Sequence, residues 1–258
     1  DVDTEIRMLS VAKSLEKHLP VTIQTTYLGA HALPNEFNHD ADAYIDFICR
    51  DALPQIASLG LADAVDVFCE TIGFSLQQTE RVFSCAKQYG LPVKAHVEQL
   101  SDSKGAVLAA KYGALSGDHI EYLVDSDIPS LVKSETVAVL LPGAFYYLSE
   151  VQKPPVEALR AHNVPIAVAT DFNPGSSPLA SLLTALNMSC VLFKLTPEEA
   201  LRGATEHAAS ALGLNDRGVV DIGNVADLTL WDIETPAELV YCINGHRPIA
   251  VFKDGKHV

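Results

Sequence analysis

The sequence predicts an α/β fold, a (β/α)8 barrel of which six strands are legible, followed by part of a small β subdomain. Two observations carry the barrel. Short apolar runs alternate with segments of helical spacing between residues 21 and 171, and that alternation means βαβ units and a parallel sheet. The ends of those runs carry His31, Glu70, His96, His119 and Asp171. Titratable groups gathered at the C-terminal ends of successive strands mark a barrel site. A third observation is negative: no G-x-G-x-x-G or Walker pattern advertises a doubly wound sheet.

Taken in order, residues 4–18 place Ile6, Leu9, Val11, Ala12 and Leu15 at mostly helical spacing, which predicts an amphipathic helix. Residues 21–31 are rich in β-branched side chains and predict a strand. Helical spacing resumes over 41–59 with a break before Pro54, and Ala64 to Glu70 reads as a short strand ending on a carboxylate. The pattern then repeats. Helices at about 75–89, 103–112, 125–134 and 154–162 lead into strands at 93–96, 114–119, 136–141 and 165–171. Leu179 to Phe193 is helical, and Thr196-Pro197-Glu198-Glu199 is a capping box with proline at the first helical position, opening a helix to about Leu212. Gly218–Gly223 and Ala226–Trp231 read as short β segments, and 249–258 as a hairpin turning on Asp254-Gly255. The expected domains are a partial barrel over 1–214 and the C-terminal part of a small composite β domain over 215–258.

Composition narrows the function classes. A chain of 258 residues with 48% hydrophobic content buries a sizeable core. Its formal net charge of −15 and lack of any basic run argue against nucleic-acid and anionic-membrane partners. No apolar stretch reaches the length of a membrane span. The five cysteines, Cys49, Cys69, Cys85, Cys190 and Cys242, form no C-x-x-C pair. That usage fits reduced thiols in a cytoplasmic protein.

The chemistry rests on the strand ends. His96, His119 and Asp171 fall at the same end of three different strands, where packing alone favours Val, Ile and Leu. Imidazole and carboxylate groups there suit a divalent metal, which lowers the pKa of bound water to about 7. Taken alone, Asp171 reads equally well as a cap on the following helix. No G-x-S-x-G elbow offers a serine nucleophile, and Cys69 lacks any sign of activation. Glu70 is open between a structural group, a ligand and a substrate contact.

These residues resemble the metal-dependent amidohydrolase superfamily. His96, His119 and Asp171 fit its fifth, sixth and eighth strands if the six strands here are strands three to eight. The superfamily's His-x-His pair of strand one does not occur in the chain, so the sequence reads as a fragment beginning after strand two. These 258 residues alone are therefore expected to bind metal weakly. Gly223-Asn224-Val225-Ala226-Asp227-Leu228 is similar to the superfamily's G-x-x-A-D-L signature.

Within the superfamily, the stretches Thr26–Pro34, Asp66–Glu70, Lys94–Leu100, Asp118–Tyr122 and Thr170–Gly175 resemble the imidazolonepropionase family. The resemblance implies hydrolysis of 4-imidazolone-5-propanoate to N-formimino-L-glutamate at one zinc or iron ion, in a homodimer. It implies that His96 and Asp171 are metal ligands and that His119 is the acid/base. His31 and Gln99 would contact the imidazolone ring, and Asn173, Gly175 and Ser176 would lie in a loop against substrate. Some family members carry Glu where Gln99 stands; Gln hydrogen-bonds the ring but cannot act as a base. Two alternatives stay open: another cyclic-amide hydrolase or aminohydrolase of the superfamily, and a metal-free, non-catalytic subunit.

Overall fold

All six predicted barrel strands form. The computed structural model describes residues 1–258 as two compact units, Asp1–Thr136 and Val137–Val258. In the first unit, helix α1 (Val2–Ser14) is N-capped by the Asp1 carboxylate, which accepts from the backbone N–H of Thr4. Strand β1 (Thr26–Ala30) pairs parallel with β2 (Ala64–Cys69), β2 with β3 (Val93–Val97), and β3 with β4 (Ser116–His119). Helices cover the connections: α2 (Ala41–Phe47) and α3 (Leu53–Ser58) before β2, α4 (Leu76–Gln88) before β3, α5 (Gly105–Lys111) before β4, and α6 (Ile128–Ser134) after it.

Period two sorts the strands into faces. Val65, Val67, Val93, Ala95 and Val97 are buried, and the α4 residues Val82, Phe83 and Ala86, also buried, pack this helix onto β2. Each buried valine or phenylalanine among them contributes about 1.5–3 kcal/mol. The opposite face of the same strands carries Asp66, Phe68, Lys94, His96 and Asp118; Asp66 pairs in register with Lys94, Phe68 with His96, and His96 with Asp118.

Pro54 does not break the helix as expected. A π-turn over Ile48–Ala52 joins α2 to α3. Proline lacks the N–H for the carbonyl four residues back and clashes with it, and the wider turn relieves that conflict.

In the second unit, β5 (Val137–Leu140) and β6 (Ile166–Val168) pair parallel. Pro142-Gly143, read from sequence only as the end of a strand, opens a further helix, α7 (Pro142–Tyr147), because proline suits a first helical position. α8 (Val156–Ala161) precedes β6, and α9 (Leu182–Phe193) follows it. The helix expected from Thr196 to Leu212 is two, α10 (Pro197–Gly203) and α11 (Glu206–Ala211), and the Thr196/Glu199 capping box forms as predicted. The break at Thr205 lets Nδ1 of His207 meet the carbonyl of Ile166 at 2.9 Å.

Gly218–Gly223 is not a strand. Gly218 and Gly223 have φ of 87° and 98°, outside any β conformation, and Ile222 is fully exposed. Strands β7 (Leu228–Leu230), β8 (Ala250–Lys253) and β9 (Lys256–His257) form an antiparallel sheet. The predicted hairpin turns on Asp254 and Gly255 with φ of 51° and 75°, the signs a type I′ turn requires. All five cysteines are free thiols, and no helix is long and apolar enough to cross a membrane.

Candidate active site

The first unit builds a histidine cluster at the C-terminal ends of its strands. Asp66 lies inside β2 and is 1% exposed. Its Oδ1 sits 3.0 Å from Nε2 of His31 and 2.9 Å from Nδ1 of His96. Ligand atoms of these three residues lie within 4.8 Å of one another. Burial alone would raise the Asp66 carboxyl, but the two imidazoles, His96 first, hold it well below the usual carboxylate range. The His31 and His96 rings meet edge to face with centroids 4.6 Å apart, and His96 and His119 are 5.3 Å apart.

Two of these histidines reach the cluster through irregularities. The register of β1 on β2 shifts between Tyr27 and Ala30, from Tyr27 opposite Val65 to Ala30 opposite Val67. The extra residue of this bulge turns His31 to the Asp66 face, where its ring lies 6.2 Å from that of Phe68. His119 pairs in register with Val97, so strict alternation would send it to the other face from His96. Positive φ at His119 (80°) and Ile120 (63°) breaks the alternation. Such values are rare for a β-branched isoleucine and concentrate at functional sites.

His119 is buried, and its Nδ1 has no hydrogen-bond partner, as has Oδ1 of neighbouring Asp118. Burial, reinforced by His96, pushes the His119 imidazole well below its ordinary pKa, so it is neutral at neutral pH. Two imidazoles around a carboxylate, with unpartnered polar atoms beside them, are a donor set that fits a divalent metal and a polar ligand.

Gln99 follows β3 and is buried. Glu70, left open by the sequence, proves to hold the loop around it: Oε1 accepts from the N–H groups of Leu100 (2.8 Å) and Ser101 (3.1 Å), and Oε2 from Thr71 N–H (3.1 Å) and Ser101 Oγ (2.6 Å).

The second unit carries the remaining candidates. Asp171, just beyond β6, has φ of 51°. The Asn173 side chain organises the loop after it: Oδ1 accepts from the N–H groups of Gly175 (2.9 Å) and Ser176 (2.7 Å), while Nδ2 donates to the carbonyl of Asp171 (2.7 Å). Asn173 thus ties Asp171, Gly175 and Ser176 into one turn. Asp66 was missed from sequence, although a signal existed: a carboxylate in the middle of the run Ala64–Cys69 must be buried and therefore paired.

Residues 68–258 match the profile of the amidohydrolase family. The chain belongs to the amidohydrolase family. Among curated relatives of this amidohydrolase chain, an imidazolonepropionase of Pseudoalteromonas atlantica is 60% identical over 99% of this chain and 63% of its own length. One from Vibrio campbellii is 57% identical over 98% of this chain and 61% of its own length. The chain therefore spans under two thirds of these relatives. An adenosine deaminase from Xanthomonas campestris, solved with bound zinc, superposes with a TM-score of 0.73 at 21% identity over 96% of this chain and 63% of that one. The architecture is accordingly that of the amidohydrolase (β/α)8 barrel, of which this chain supplies a part.

Proposed function

We propose that the protein carrying this chain is an imidazolonepropionase, opening the ring of 4-imidazolone-5-propanoate to N-formimino-L-glutamate. The observation that carries the reading is the placing of His31, His96 and His119 around the buried Asp66, within a chain 60% identical to a curated imidazolonepropionase.

The amidohydrolase family is metal-dependent, and the donor chemistry suits zinc or iron. His96 and Asp171 are the proposed ligands from this chain. With Nδ1 of His96 engaged by Asp66 at 2.9 Å, Nε2 would be the nitrogen that holds a metal, an arrangement in which the carboxylate fixes the tautomer and orientation of the ring. The bound metal would supply Lewis-acid polarisation of the ring carbonyl and activation of water.

The chain's own residues do the rest. Neutral His119 accepts a proton from the attacking water and returns it to the departing ring nitrogen, so that the cyclic C–N bond breaks with its charge balanced. His31, donating from Nε2 to Asp66, offers Nδ1 as an acceptor for a ring N–H. Gln99 donates and accepts through its amide but moves no proton. Asn173, Gly175 and Ser176, tied together in the turn after Asp171, are the proposed substrate contacts of that loop. The acidic chain and its free thiols fit a cytoplasmic enzyme acting on a small molecule; a homodimer is the assembly we propose for it.

Incubating the protein with imidazolonepropionate and following loss of substrate and appearance of formiminoglutamate tests the reading. Turnover in the native protein and its fall by about 100-fold or more in His119→Asn, with metal content kept, is the expected result. Absence of turnover in the native, metal-loaded protein overturns the assignment.

A further inference from the structure

The β3–α5 loop is clamped on both sides of Gln99. On its far side, four hydrogen bonds converge on the buried Glu70 carboxylate, three of them from Leu100 and Ser101. On its near side, Glu98 is 1% exposed and reaches the start of α5, accepting from Gly105 N–H (2.7 Å), Ala106 N–H (2.8 Å) and Ser103 Oγ (3.0 Å). The backbone between the clamps is stitched to the segment after His119: Ile120 N–H donates to the carbonyl of Val97 (3.0 Å) and Tyr122 N–H to that of Glu98 (2.7 Å). Glu98 is held at φ of 48°, a conformation that non-glycine residues keep only when their surroundings impose it.

A loop left to itself would not need two buried carboxylates. Each costs desolvation unless its lone pairs are filled, and here all but one of the bonds that fill them, the one from Thr71 N–H, come from the backbone and hydroxyl groups of this loop and the first residues of α5. What the pair accomplishes is the placement of the single residue between them.

We propose that Glu70 is a positioning residue for Gln99, setting how the Gln99 amide meets the ring of the substrate. The proposal rests on the imidazolonepropionase reading for the identity of that ring. Glu70 touches no reacting atom. It acts through the backbone of Leu100 and Ser101, so its effect depends on the Gln99 side chain being there to be aimed.

The test is a double-mutant cycle in the protein that carries this chain, with Glu70→Gln, Gln99→Ala and the pair, measuring KM and kcat separately. Gln at 70 keeps the shape but turns one acceptor into a donor facing N–H groups. Glu70→Gln is expected to raise KM about tenfold with kcat less affected, and to add nothing once Gln99 is alanine. Additive effects, or an unchanged KM, overturn the proposal. Ser101→Ala removes only the 2.6 Å contact and should shift KM the same way by less, which keeps the test valid if Glu70→Gln folds poorly. Backbone amide exchange supplies a readout independent of substrate: Leu100 and Ser101 should be protected in the native protein and exchange faster in Glu70→Gln. If the native protein ignores imidazolonepropionate, the function reading fails while the exchange result still decides the clamp. Unchanged protection sinks it.

Discussion

A single oxygen, Oδ1 of Asp66, holds two imidazoles at 3.0 and 2.9 Å. Neither ring can turn without leaving a buried carboxylate partly unpaired, an outcome that costs several kcal/mol. His96 is therefore oriented before any metal arrives. Asp66→Asn keeps the size and removes the charge, and it should weaken metal binding by about 10- to 100-fold. A metal titration of the variant measures this; unchanged affinity would mean that Asp66 does not orient the ligand. The sequence offered His96 and His119 readily, because histidine at a strand end stands out against Val and Ile. It hid Asp66, which sits mid-strand, and it could not tell that Glu70 serves the loop around Gln99.

At the scale of elements, irregularity places the chemistry. The β1 bulge that turns His31 toward Asp66 depends on Gly29, where a Cβ would lie 2.3 Å from Cζ of Tyr27. Gly29→Ala should therefore cost about 1–3 kcal/mol of stability through overpacking. It should also raise KM, as His31 moves off the Asp66 face. Denaturant melts together with kinetics separate the two effects, and a variant with native KM would show that the bulge is not what aims His31.

The capping box of α10 makes a different prediction. Glu199 accepts from Thr196 N–H (2.8 Å) and from Arg160 Nε (2.5 Å) and Nη2 (2.9 Å). The Arg160 hydrogen bond first, and then the cap, hold its carboxyl down at about 2, from an ordinary 4.5. A carboxylate lowered on folding stabilises the protein fully above its unfolded value and loses that contribution as pH falls toward its folded value. The stability gap between native protein and Glu199→Gln should be constant from neutral pH down to about 4.5 and close between about 4.5 and 2. Urea midpoints across that range measure it; a gap unchanged at low pH would contradict the pairing.

The chain is an acidic member of the amidohydrolase family, with net charge −15 over its 258 residues. In the protein carrying this chain, metal binding to the native state alone would stabilise that state by mass action. At a free metal concentration about 100 times the dissociation constant, removal by a chelator should cost about 2.7 kcal/mol and abolish turnover, and re-adding the metal should restore both. A melting temperature unmoved by chelation and reloading would show that the native state takes up no metal.

The six barrel strands and the helices between them, the Thr196 capping box, the Asp-Gly hairpin and the candidate histidines were determined by the sequence itself, because hydrophobic period and turn chemistry are local. The tertiary structure decided what periodicity is blind to. Period two assigns His31 and His119 to faces only while a strand stays regular; a one-residue bulge between Tyr27 and Ala30 and positive φ at His119 and Ile120 bring both to His96. Long-range pairing likewise decided that Asp66 is shared between two imidazoles and that Glu70 and Glu98 clamp Gln99. The partners of Asp66 and Glu70 lie some 30 residues away in the chain, a separation that no local pattern records.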